Sequence, residues 1–168
     1  MTQDGRAPSG GRTLTLGTNM KYLDDFEEGY SKTVGAYEVT EEELLTFARA
    51  YDPQPIHTDK KFAEASPFGS LITSGWHTCA ISMRLLVDNF LQDVAAIASP
   101  GVDEIRWMKP VRPGDTLRMR WTILEVRRSR SKPDRGFIRA RSEMINQHDE
   151  VVMSHIGMSM IYRRPEGA

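Results

Sequence analysis

Two periods of apolar residues divide the chain. Over 76–91 (WHTCAISMRLLVDNFL) the spacing is helical. At 100° per residue, Trp76, Cys79, Ala80, Met83, Leu86, Val87, Phe90 and Leu91 share one wide apolar face, with Ile81 and Leu85 almost opposite. Only two narrow polar stripes remain: His77, Arg84 and Asp88 on one side, Thr78, Ser82 and Asn89 on the other. A helix apolar on two faces is expected to be largely buried. From residue 101 onward the period is two. Leu117, Met119, Trp121 and Ile123 alternate with polar residues, as do Ile138, Ala140, Ser142 and Met144. Val152, Ser154, Ile156, Met158 and Met160 form a third set. Pro113-Gly114-Asp115 and Lys132-Pro133-Asp134-Arg135-Gly136 read as turns between these strands. Long strands with short connections predict an antiparallel meander.

Upstream, residues 31–39 (SKTVGAYEV) are β-prone, and Thr40-Glu41-Glu42-Glu43 fits a helix start with a capping box. Leu44, Phe47, Ala48 and Tyr51 continue at helical spacing until the prolines at 53 and 55 end the helix. A second short helix is expected near Asp59–Ala65, broken by Ser66-Pro67-Phe68-Gly69. Residues 1–19 hold four glycines and little to bury, and read as a flexible tail before a single domain at 20–165. The fold class is therefore α+β, with a long sheet curled around one buried helix.

The 168 residues suit one domain, and 39% hydrophobic content suffices for a core. A net charge of −1 argues against a general nucleic-acid binder. Its distribution is uneven: residues 1–100 carry 14 acids and 8 bases, residues 101–168 carry 9 acids and 14 bases. The single cysteine, Cys79, excludes an internal disulfide and a cysteine-based zinc site, and is read as core. With no signal-peptide core and no apolar run of about 20 residues, no membrane association is expected, and the reading is cytoplasmic.

Chemistry concentrates in Tyr51-Asp52-Pro53-Gln54-Pro55-Ile56-His57-Thr58-Asp59. A carboxylate and an imidazole lie five residues apart across a proline-stiffened loop, and both are proton-transfer groups. Equally, Asp52 can cap the following turn and His57 can be a satisfied loop histidine. The segment Phe68-Gly69-Ser70-Leu71-Ile72-Thr73-Ser74-Gly75 then runs into the buried helix, whose first amides lack intrahelical partners. Gly75 admits close approach of a ligand oxygen to such an amide. The alternative is that Ser74 caps the helix and Gly75 only packs. His77 reads as structural, and neither His148 nor His155 has a metal-ligand partner at useful spacing, so no metal is expected. Arg127, Arg128, Arg130, Lys132 and Arg135 form a basic cluster near a hairpin. It suits a solvated tip, or contact with phosphates.

The run FARAYDPQPIHTDKKFAEASPFGSLITSG (47–75) resembles the MaoC-like dehydratases and R-specific enoyl-CoA hydratases. Asp52, Pro55, Ile56, His57, Asp59 and Ala63 match their motif, and Lys109-Pro110-Val111-Arg112-Pro113-Gly114-Asp115-Thr116-Leu117 resembles their hairpin. The resemblance implies a hot-dog fold, pairing into a homodimer or dimer of dimers, and reversible hydration of a trans-2-enoyl thioester to a 3-hydroxyacyl thioester. It places the catalytic pair on Asp52 and His57 and the oxyanion amide on Gly75. Gln54, Pro55, Phe68 and Ser74 become substrate-binding candidates. CoA enters as the substrate's handle, with no cofactor. Which of Asp52 and His57 acts as base stays open at this point. An acyl-CoA thioesterase and a non-catalytic acyl-thioester binding module are the alternatives. The chain departs from the motif at Tyr51, often Gly, and at Gln54, where the motif has Asn. Gln54 is expected to shape the pocket wall without moving protons.

Overall fold

The computed structural model describes residues 20–166. The tail read at 1–19 lies outside the described residues. The strands are β1 (Ser31–Glu38), β2 (Ala96–Trp107), β3 (Thr116–Arg128), β4 (Arg135–Ile145) and β5 (Val151–Tyr162). The helices are α1 (Glu41–Tyr51), α2 (Pro55–Thr58), α3 (Lys60–Ala65) and α4 (Gly75–Asn89). All five strands join one antiparallel sheet in the order β1-β3-β4-β5-β2. The predicted meander is β3-β4-β5, and β1 and β2 form the two edges.

Local chemistry sets the helix ends. Thr40 Oγ1 accepts the Glu43 N–H at 3.2 Å, as a capping residue does. The return half of the predicted box is not made, because the Glu43 carboxylate turns to Tyr37 and His77. Asp59 caps α3 through the Phe62 N–H at 3.1 Å. The one-turn α2 was not anticipated from sequence. It starts on Pro55, whose fixed φ and missing N–H suit a first helical position. At α4, Ser74 Oγ accepts the Trp76 N–H at 3.3 Å. The helix stops at Asn89, whose side-chain amide donates to Leu85 O, so it ends short of the expected residue 91.

The core lies between the sheet and α4. Leu117, Met119 and Ile123 of β3 and Ile138 and Met144 of β4 are buried there with Ile81 and Leu85. The buried side of α4 is thus its narrow Ile81–Leu85 stripe, joined by His77, Thr78 and Ser82. The wide apolar face is covered only in part: Cys79, Leu86 and Phe90 pack against the core, but Trp76 is 58% and Met83 51% exposed. The sheet and the chain around it leave Trp76, Ala80 and Met83 of that face to solvent. Polar residues of α4 can turn inward because each finds a partner: His77 meets Glu43, Thr78 meets Thr73, and Ser82 Oγ meets His155 Nε2 of β5 at 3.3 Å.

Two strand expectations also change. The register pairs the buried Ile138, Ala140, Ser142 and Met144 with Ser159, Gly157, His155 and Met153. Ser154, Ile156, Met158 and Met160 of the predicted set therefore occupy the opposite face, while Val152, where the register shifts, packs in the core. β5 is apolar on both faces, and alternation alone cannot choose between them. β2 went unseen because its pattern is broken. Pro100 and Gly101 interrupt it, Glu104 has φ 52°, and its pairing with β5 slips at three places. At the other edge Gly35, φ 82°, lets β1 cross tightly over α4, since a Cβ there would overlap Leu85.

These faces predict unequal costs. Leu85→Ala should lower unfolding free energy by about 2–5 kcal/mol, as core truncations do. Met83→Ala should stay within about 0.5 kcal/mol if the chain melts as a monomer. Denaturant melts of both variants check this. A loss at Met83 matching that at Leu85 would show its face buried in solution.

Candidate active site

A cavity of about 430 Å³ opens where α1, α2 and the start of α4 meet the chain after β2. Asp52, the C-cap of α1, enters it because its backbone N–H closes on Ala48 O at 2.8 Å. The two flanking prolines then direct the chain into α2, which presents His57. The imidazole is 5% exposed. Its Nδ1 lies 2.9 Å from Ile72 O. A carbonyl can only accept, so Nδ1 carries the hydrogen, and in the neutral ring Nε2 holds the lone pair. That Nε2 is 3.5 Å from Asp52 Oδ2. The 71–74 segment that supplies Ile72 is itself anchored, with the Thr73 N–H donating to Val111 O at 2.8 Å.

Asp52 is further held by two donors. The Ser74 hydroxyl donates to Oδ2 at 2.6 Å and the Gln54 amide to Oδ1 at 2.7 Å. The Ser74 bond first, then that of Gln54, keep the carboxyl below the usual carboxylate range. Burial opposes them and the nearby His57 adds a smaller downward pull. The site thus pairs a committed carboxylate with an imidazole whose orientation is fixed by the backbone.

Gly75 lines the cavity as the first residue of α4, where an amide has no intrahelical acceptor. It also packs: a Cβ there would come within 2.5 Å of the Trp107 indole, whose Nε1–H donates to Gly75 O at 2.9 Å. The packing reading of Gly75 is met, and its amide stands at the cavity wall. The upper walls are apolar, with Trp76 set edge-on to Trp107 at 5.5 Å between centroids.

Residues 27–140 match the MaoC like domain family. The chain belongs to that family. A MaoC-like dehydratase from Rhodospirillum rubrum is 37% identical and superposes with a TM-score of 0.79, covering 86% of this chain and 99% of that one. The Bacillus subtilis protein YdeM is 33% identical over 104 residues, 62% of this chain and 72% of its own length. The mesaconyl-CoA hydratase of Cereibacter sphaeroides is 37% identical over 90 residues. That match covers 52% of this chain and only 26% of the hydratase. The architecture of this MaoC-like chain is the hot-dog fold.

Of the residues singled out in the sequence, Asp52, Gln54, His57, Phe68 and Gly75 all line the one cavity. Ser74 does not. It is 1% exposed and lies behind Asp52, holding the carboxylate and capping α4. Pro55 is exposed and outside the lining, because α2 turns it to solvent. Gln54 lines the wall as expected and in addition grips Asp52, which its extra methylene permits. The basic hairpin cluster is not brought to the cavity. Arg128 reaches Asp24 at 3.7 Å, Arg135 pairs with Asp134, and Arg127 lies over Phe137. The cavity's own cation is Lys109, paired with Glu150. Sequence reasoning placed Trp76 in the core and passed over Trp107, which sits in the unrecognised β2. Arg112, noted only within the hairpin resemblance, clamps the Phe68 loop by donating to Ser70 Oγ at 2.6 Å and Phe68 O at 3.0 Å. Among the described residues no cluster of His, Cys, Asp and Glu has the makings of a metal site, and no helix is long and apolar enough to cross a membrane.

The donors on Asp52 give a pH test. By carbon NMR the Asp52 carboxyl should titrate higher in Ser74→Ala and in Gln54→Leu, more so in the first. A carboxylate held below its usual range stabilises the fold above that range and loses this contribution as pH falls through the folded value. The stability gap between wild type and Ser74→Ala should therefore shrink in acid, toward the 0.5–2 kcal/mol or so of a lost N-cap. An unmoved Asp52 titration in either variant would mean that its donor does not hold the carboxylate in solution.

Proposed function

We propose that this chain adds water reversibly across the double bond of a trans-2-enoyl thioester, giving a 3-hydroxyacyl thioester. The observation that carries the reading is the pinning of His57 Nδ1 on Ile72 O, which leaves Nε2 facing Asp52 Oδ2 at 3.5 Å inside an apolar cavity. A water placed against both donates one hydrogen to Nε2 and the other to the carboxylate. Nε2 takes its proton as the water oxygen bonds to Cβ. The π pair moves toward the thioester carbonyl, whose oxygen gains charge beside the Gly75 amide. The imidazolium then returns a proton to Cα, and the enolate collapses to the saturated thioester. Atoms balance without a metal or a redox partner, and CoA serves as the handle of the substrate. His57 is the base in this scheme, while Asp52 orients the water and steadies the imidazolium. The name of the related mesaconyl-CoA hydratase supports an enoyl-CoA substrate.

A panel of enoyl-CoAs, followed by loss of the conjugated enone absorbance, tests the reaction. Asp52→Asn and His57→Ala should each lose about 10²–10⁴-fold in kcat on the best substrate while melting as folded protein. Near-wild-type turnover in either would remove that residue from the mechanism. Free thiol released from saturated acyl-CoA would instead make the chain a thioesterase. Binding without turnover, indifferent to loss of His57, would make it a binding module.

The working unit in this proposal is a cytoplasmic homodimer. Trp76, Met83 and Val102 are exposed apolar residues, and β2 is an edge strand with a free side. Light scattering should give at least twice the 19.0 kDa chain mass at micromolar concentration. A mass of one chain would refute the dimer.

A further inference from the structure

On a different face of α4 lies a second cavity, about 500 Å³, lined by a cluster that the proposed hydration does not use. Glu43 Oε1 accepts both the Tyr37 hydroxyl and His77 Nε2, the latter at 3.2 Å. His77 is 2% exposed. Because the carboxylate accepts at Nε2, that nitrogen carries the hydrogen. Nδ1 is buried with no partner among the described residues. The imidazole therefore has one polar tie, to Glu43. Phe47, one turn beyond Glu43 on α1, stacks on the same ring at 4.7 Å and 12°. The charged and titratable groups around the cluster are Tyr37 from β1, Glu43 and Tyr51 from α1, and His77 and Arg84 from α4, with Arg84 bound to Asp88 at 2.7 Å. Burial, then the Glu43 bond, pushes the Tyr37 hydroxyl up to about 12, so it stays a donor at neutral pH.

α1 and α4 are thus tied at two points. One is Glu43–His77, near the start of α1. The other is Asp52–Ser74, at its end. A single tie leaves a helix free to pivot, and two set both its slide and its tilt. We propose that Glu43 is a positioning residue: by gripping Tyr37 and His77 on one oxygen it fixes α1 against α4 and so sets where Asp52 meets Ser74 and His57. The inference rests on the hydration reading for its effect on rate, but its geometric part does not.

The test separates reach from charge. Glu43→Gln keeps the oxygen at full reach without the charge. Glu43→Asp keeps the charge one methylene short, and Glu43→Leu removes both. All three are made in the full chain. Two readouts are taken: the Asp52 carboxyl titration by carbon NMR, and kcat, KM and the pH profile of kcat/KM on the best enoyl-CoA. In Glu43→Asp the Asp52 titration should rise, toward that of Ser74→Ala. Its kcat should fall by about 10–100-fold, as for a small misplacement of a reacting group, with KM within about twofold. Glu43→Gln should match wild type in both readouts. Asp52 faces His57, Gln54 and Ser74, with Lys109 in the same cavity, and none of these is altered. An unshifted Asp52 titration in folded Glu43→Asp overturns the tie, and so does a Glu43→Gln variant as impaired as Glu43→Asp. If Glu43→Leu does not fold, the other two variants decide. A wild-type chain that hydrates no enoyl thioester overturns the functional reading alone, because the Asp52 titration needs no substrate.

Discussion

Asp52 is where separate pieces of this chain are forced into one geometry. Its backbone N–H ends α1 on Ala48, and its carbonyl accepts the Gln54 N–H at 2.8 Å, which starts the turn toward α2. Its carboxylate then collects Gln54 on one oxygen and Ser74 on the other. Hydrogen bonds to a charged acceptor are shorter and stronger than neutral ones, so the two carboxylate bonds stiffen this turn and tie it to Ser74, 22 residues on. His57 opposes the carboxylate from α2 and is anchored on Ile72. The 71–74 strip is anchored in turn on Val111, and the Met108 N–H donates to Val152 O of the sheet at 2.8 Å. A loop-built site thereby inherits the rigidity of the sheet behind it.

The helix whose first residue lines the cavity also carries exposed apolar side chains, Trp76 and Met83. Trp76 and Trp107 line the cavity, yet are 58% and 46% exposed. Exposed aromatics of this size around an open cleft are costly unless something covers them, substrate or protein. Whatever seats on that face also changes the depth and dryness of the cleft. Trp76 belongs both to that exposed face and to the cavity wall.

What the sequence disclosed follows the physics of each signal. Local capping was legible, since Thr40 and Asp59 act within their own turns. The alternation in β3 and β4 was legible because one face is apolar and the other charged. β5 has apolar residues on both faces, so the face that packs on α4 emerged only from its register with β4. β2 is an edge whose bulges erase the period. In the site, Asp52, His57 and Gly75 could be placed because a dense motif surrounds them. The role of Ser74 behind the carboxylate depends on α4 arriving 22 residues later, and the turning of Glu43 to His77 spans 34 residues. Neither has a local signature. The capping-box pattern at Thr40 even pointed Glu43 the wrong way, because a buried imidazole competes successfully for the carboxylate.

The two departures from the family motif, Tyr51 and Gln54, flank Asp52 and act on the same geometry. A glycine at 51 would loosen the last turn of α1. Tyr51 instead keeps it helical, and its ring meets Phe47 at 5.1 Å, one turn back. Phe47 in turn stacks on His77, so Tyr51 adds to the packing that seats α1 on α4. A helix held rigidly to its last residue gives the following loop little freedom to bring residue 54 closer to the carboxylate. The longer side chain of Gln54 spans that distance and still reaches Asp52 Oδ1 at 2.7 Å. The extra methylene at 54 thus accompanies the stiffer residue at 51, and Gln54 both holds the carboxylate and lines the cavity wall.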